Sequence, residues 1–66
     1  MTLEEIRKKK ELGLTDASEK IGITKTYLYL VEKGKRTPSD DVKEKMAKVY
    51  GVSPTTIFLA TRLTKS

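Results

Sequence analysis

The chain has 66 residues, with 14 Lys or Arg against nine Asp or Glu, a formal net charge of +5, and neither cysteine nor histidine. Those absences exclude disulfides and thiolate metal sites, and remove the commonest general base and metal ligand. A chain this short is one small domain, spanning 1–66, that buries only about 60% of its unfolded surface, so its stability must come from packing, helix caps or a partner chain.

The charge is unevenly placed. Residues 1–33 carry seven basic and six acidic side chains, whereas residues 34–66 carry seven and three. A basic excess of this kind points to nucleic acid, to an anionic membrane surface or to plain solubility. No apolar run approaches the ~18 residues of a membrane span. The opening "MTLEEIRKKK" has no apolar signal region, which leads to the expectation of a cytoplasmic protein.

Apolar residues recur at helical spacing and strand-like alternation is absent, so the elements are helices. In "TLEEIRKKKEL", Thr2 with Glu5 three residues on forms a capping box, and Leu3 and Ile6 mark the buried side. Arg7 lies at the edge of that side and wants a carboxylate partner. "GLTDASEKIG" is a short second helix between Gly13 and Gly22, with Leu14, Ala17, Ser18 and Ile21 inward. "TKTYLYLVEK" is the third, capped by Thr24 and stopped at Gly34. Its inner face holds Tyr27, Leu28 and Val31, while Lys25, Thr26, Tyr29, Leu30 and Lys33 point outward. In "SDDVKEKMAKVYG", Ser39 caps, Asp40 and Asp41 sit in the first turn where the helix dipole favours anions, and Val42, Met46, Val49 and Tyr50 form the stripe. In "SPTTIFLATRL", Ser53 caps and Pro54 takes the first helical position. Ile57 and Phe58 are expected to enter the core, and Leu59 and Leu63 look surplus to it.

Helices two and three, about 14–33, are separated by little more than Gly22 and Ile23, which is the connection of a helix-turn-helix. The string "VEKGKRTPS" carries Val31, Glu32, Gly34, Arg36, Pro38 and Ser39 in an apolar-E-x-G-x-R-x-P-S pattern. Together with "SEKIGIT" at 18–24 and "GVS" at 51–53, it resembles the Cro/repressor helix-turn-helix family, the xenobiotic-response-element class. The resemblance covers about residues 3 to 58. Counting back from Gly22 puts Gly13 at the cap of helix two and Leu14 where the family often has a glutamine that touches the DNA backbone. Asp40 and Lys43 also replace residues that are usually apolar, so helix four is expected to be rotated or to begin slightly later.

The resemblance implies an all-α, five-helix, lambda-repressor-like fold and a sequence-specific DNA-binding regulator, most often a repressor. It implies that Arg7 pairs with Glu32 and that helix three docks in the major groove. Lys25, Thr26, Tyr29 and Leu30 would then face base edges: a lysine can donate to guanine, and a leucine or threonine can touch a thymine methyl. Thr24, Lys33, Lys35 and Arg36 would hold phosphates, which fixes register but reads no sequence. Two half-sites read by a homodimer would form a pseudo-palindromic operator. Ile57, Leu59 and Leu63 are the candidate dimer patch, or they close the core over helices one and four.

A different possibility is an interaction module of antitoxin or anti-repressor type, with Tyr29 and Leu30 meeting protein. Enzymatic function finds no support: there is no nucleophile–base pair, metal cluster or phosphate-cradling glycine loop. No cofactor, metal, small-molecule ligand or membrane partner is expected.

Overall fold

In the computed structural model, residues 1–63 are described, Leu63 by its backbone alone. Five helices follow in order: α1 (Leu3–Lys9), α2 (Leu14–Ile21), α3 (Lys25–Glu32), α4 (Asp40–Tyr50) and α5 (Pro54–Leu63). No strand occurs among the described residues.

Local chemistry sets most helix starts. Thr2 Oγ1 accepts from Glu5 N–H at 3.2 Å, and Glu5 Oε1 accepts from Thr2 N–H at 2.8 Å, closing the capping box of α1. Thr24 accepts from Tyr27 N–H, Ser39 from Val42 N–H and Ser53 from Thr56 N–H, so three further hydroxyls satisfy orphan amides. Gly13 caps α2 with backbone alone.

The core draws on every helix. Leu3 and Ile6 come from α1, Ala17 and Ile21 from α2, Leu28 and Val31 from α3, Met46, Ala47 and Tyr50 from α4, and Ile57 and Ala60 from α5. Buried Ser18 stays satisfied by donating to Thr15 O at 2.9 Å. Leu14, expected inward, is half-buried at the margin.

Three expectations need correction. Of the two alternatives for helix four, the late start is excluded, since Asp40 is its first residue, and the face is what differs. Its buried face runs through Met46, Ala47 and Tyr50, leaving Val42 and Val49 half-buried, so small Ala47 and not a β-branched neighbour meets the centre. On α5, Ile57 is fully buried while Phe58 is 47% exposed. Adjacent helical positions lie about 100° apart, so once Ile57 and Ala60 fix the inner side, Phe58 is carried to its edge. Ile57 therefore belongs to the core and not to a surface dimer patch.

Candidate nucleic-acid interface

The turn between α2 and α3 is held by one carbonyl. Ser18 O accepts from Gly22 N–H at 2.8 Å and from Ile23 N–H at 3.0 Å. Gly22 is left-handed at φ 91°, which a side chain would resist, and half-buried Ile23 packs against the core. With α2 anchored by Ala17 and Ile21 and α3 by Leu28 and Val31, the turn fixes how α3 is presented.

Outward from that anchored side, Lys25 and Thr26 are exposed in the first turn of α3, and Tyr29 is 47% exposed one turn on. Leu30 is half-buried, so only part of it is offered to a ligand. Thr24 is exposed but its hydroxyl already accepts from Tyr27 N–H at 3.0 Å.

The end of α3 is a Schellman turn. Gly34 at φ 77° sends its N–H to Val31 O at 3.1 Å, while Leu30 O accepts from Lys35 N–H at 2.9 Å and Arg36 N–H at 3.3 Å. Exposed Lys33, Lys35 and Arg36 follow one another through this reversal at the end of the helix. Two tyrosines of α3 support them. Lys33 Nζ lies 5.5 Å from the Tyr29 ring centre, and Arg36 Cζ lies 5.6 Å from that of Tyr27. Tyr27 is half-buried, so it is both core edge and platform. The sequence offered no sign of the Tyr27–Arg36 contact, because it depends on the path of the loop after Gly34.

Beneath this surface, Arg7 Nε donates to Glu32 Oε2 at 2.7 Å and Arg7 Nη2 to Glu32 Oε1 at 3.2 Å. The third nitrogen, Nη1, donates to Leu12 O at 2.8 Å. The fork thus ties α1, the loop after it and the last residue of α3 together. Nearby, the ammonium of Lys8, 2.9 Å away, holds the Glu4 carboxyl below its ordinary value, with a smaller contribution from Lys33.

A family model described as "Helix-turn-helix" matches residues 3–57, most of the chain. The chain belongs to the Cro/C1-type helix-turn-helix family. No curated protein and no solved structure gives a match. Membership in this helix-turn-helix family makes the chain a DNA-binding regulator of five-helix, lambda-repressor-like type. In this helix-turn-helix protein α2 and α3 form the paired helices. Among the described residues no group of His, Cys, Asp or Glu is placed to hold a metal ion, and no helix is long and apolar enough to cross a membrane. Of the candidate dimer residues, Leu59 is 52% exposed on α5, and the side chain of Leu63 lies outside the described residues.

Proposed function

We propose that this chain is a cytoplasmic transcriptional repressor that binds a pseudo-palindromic operator in double-stranded DNA as a homodimer, reading base edges with the first half of α3. One observation carries this: Lys25, Thr26 and Tyr29 are exposed together on a helix whose opposite side is core, and a cluster of three cations follows at its end. Lys25 donates to guanine O6 and N7, Thr26 bonds a base edge or touches a thymine methyl, and the exposed parts of Tyr29 and Leu30 complete the contact. Thr24, Lys33, Lys35 and Arg36 hold the phosphate backbone on either side. Leu59, apolar and half in solvent, is the centre of the dimer contact.

Selection from a random duplex library at near-physiological salt, followed by the stoichiometry of the winning site, tests this. Enrichment of two-fold-related half-sites with centres about 10 bp apart is expected. Uniform weak binding with no enriched sequence would refute base reading by α3, and a single half-site bound by one chain would refute the homodimer.

A further inference from the structure

The proposed DNA contact leaves Phe58 without a purpose. Its ring is half in solvent, and two cations cover parts of it: Lys43 Nζ lies 5.1 Å from the ring centre and Arg62 Cζ lies 5.9 Å away. The ring separates two depressions. The first, about 260 Å³, runs between the loop after α3 and the outer side of α5. Phe58 supplies its exposed apolar surface above buried Val31 and Pro38; Arg36, Lys43 and Arg62 supply its charge, and no carboxylate among the described residues lines it. Asp40 and Glu44 line the second depression, which shares Phe58 and Lys43 with the first.

We propose that the first depression is a docking groove for an acidic protein segment. One apolar side chain of that segment lies against the exposed ring of Phe58, and its carboxylates take Arg36, Lys43 and Arg62. Charge complementarity selects this occupant. Guanidinium groups bind carboxylates in paired, directional hydrogen bonds, and two of the three cations are arginines. The volume is below the roughly 300–1,000 Å³ of small-molecule sites, so it suits a side chain better than a metabolite. A second copy fits poorly. A two-fold interface sets a patch against itself, which here places three cations opposite three cations. A DNA backbone satisfies the cations but brings no apolar group to cover Phe58.

The test is a titration of the ¹⁵N-labelled full chain, without DNA and at near-physiological salt. The probe is a short synthetic peptide of Asp and Glu with one central leucine, and its control carries serine in place of that leucine. The expected result is movement of the Thr37, Lys43, Phe58, Thr61 and Arg62 amides with the leucine peptide. Binding is expected to be about tenfold weaker for the serine peptide and for Phe58→Ala, the scale of one lost anchor. The surface reversals Lys43→Glu and Arg62→Glu, which leave the core untouched, should weaken it at least as much. Absence of groove shifts overturns the proposal, and so does equal binding of the two peptides, which would mark a plain polyanion site. In a separate titration, equal movement of the Lys43, Phe58, Thr61 and Arg62 amides, none of them assigned to the DNA contact, by a short non-operator duplex would make the groove a phosphate site. Groove shifts that grow with protein concentration alone would give it to a second copy. Because the titration contains no operator, failure of the groove and failure of the repressor assignment register separately.

Discussion

Arg7 and Glu32, 25 positions apart, form a two-bond ion pair in which both residues are buried, at 6% and 7% exposure. Glu32 ends the helix that presents Lys25 and Tyr29, so the pair sets where that helix ends relative to α1. Removing one partner strands a charge in the interior, which typically costs about 3–5 kcal/mol. Against a total stability of about 5–15 kcal/mol, at the low end for a chain this small, Glu32→Gln or Arg7→Met should leave little folded protein at 37 °C. The double variant Arg7→Met/Glu32→Gln strands no charge and should be more stable than either single one, with a coupling energy above about 1 kcal/mol. Urea unfolding of the four proteins measures it; simply additive losses would mean that the pair is not a unit.

Tyr50 lies against that pair and is fully buried, with no hydrogen-bond partner for its hydroxyl among the described residues. Burial, aided by the Glu32 carboxylate and opposed by Arg7, pushes its phenol up from 10.0 to about 12. The folded phenol therefore keeps its proton after the unfolded one has lost it. The contribution to stability is intact below pH 10, falls as pH rises, and is gone above about pH 12, with a total loss of about 2–3 kcal/mol. Tyr50→Phe should abolish this alkaline loss and, by deleting an unsatisfied hydroxyl, raise stability at neutral pH by about 1 kcal/mol or more. Denaturant midpoints at pH 9 and pH 11 for both proteins decide the matter. An equal alkaline loss in the variant would place its origin elsewhere.

What could be read from the chain was mostly local. Thr2 with Glu5, Ser39, and Ser53 before Pro54 announce helix starts because capping needs particular atoms at particular offsets. Gly22, Gly34 and Gly51 announce ends for a similar reason. The Arg7–Glu32 partnership was reachable only by resemblance, since nothing local links residues in different helices. Periodicity places Ile57 and Phe58 in the core alike and cannot choose between them until the packing of α5 on α4 is known. The Tyr27–Arg36 stack is not legible in the sequence because the loop path that creates it has no side-chain signature. Glu11 gave no signal at all.

Glu11 has φ 58°, left-handed backbone that glycine adopts without penalty. It occupies the end of α1, where Leu12 N–H donates to Arg7 O at 3.3 Å, the same 6→1 bond that Gly34 allows after α3. Glu11→Gly should relieve this strain and, after the entropy that glycine loses on folding, stabilise by about 0.5–1 kcal/mol. Glu11→Val should destabilise by more than 1 kcal/mol, because a β-branched residue tolerates this region least. Thermal melts should separate the two variants by about 8 °C or more; a glycine variant no more stable than the parent would show that the side chain compensates its backbone.

On the proposed DNA contact, the cations after α3 and the side chains at its start should fail differently. Lys35→Ala removes one phosphate contact, so it should weaken every duplex alike and reduce the slope of log affinity against log salt by about 0.9. Lys25→Ala should instead cost about 1–3 kcal/mol at the base pair it reads and change which base is preferred there. Tyr27→Ala probes the stack beneath Arg36. It removes the platform 5.6 Å from the guanidinium without touching a groove-facing residue. Arg36 then swings through more orientations, so affinity should fall uniformly with base preference unchanged. Because Tyr27 also packs at the core edge, the comparison is made at a temperature where circular dichroism shows the variant fully folded. Anisotropy titrations across a salt series, on the selected site and on one scrambled duplex, read all three effects. If Lys25→Ala weakens both duplexes equally, the lysine is a backbone contact, and base reading shifts to Thr26 and Tyr29.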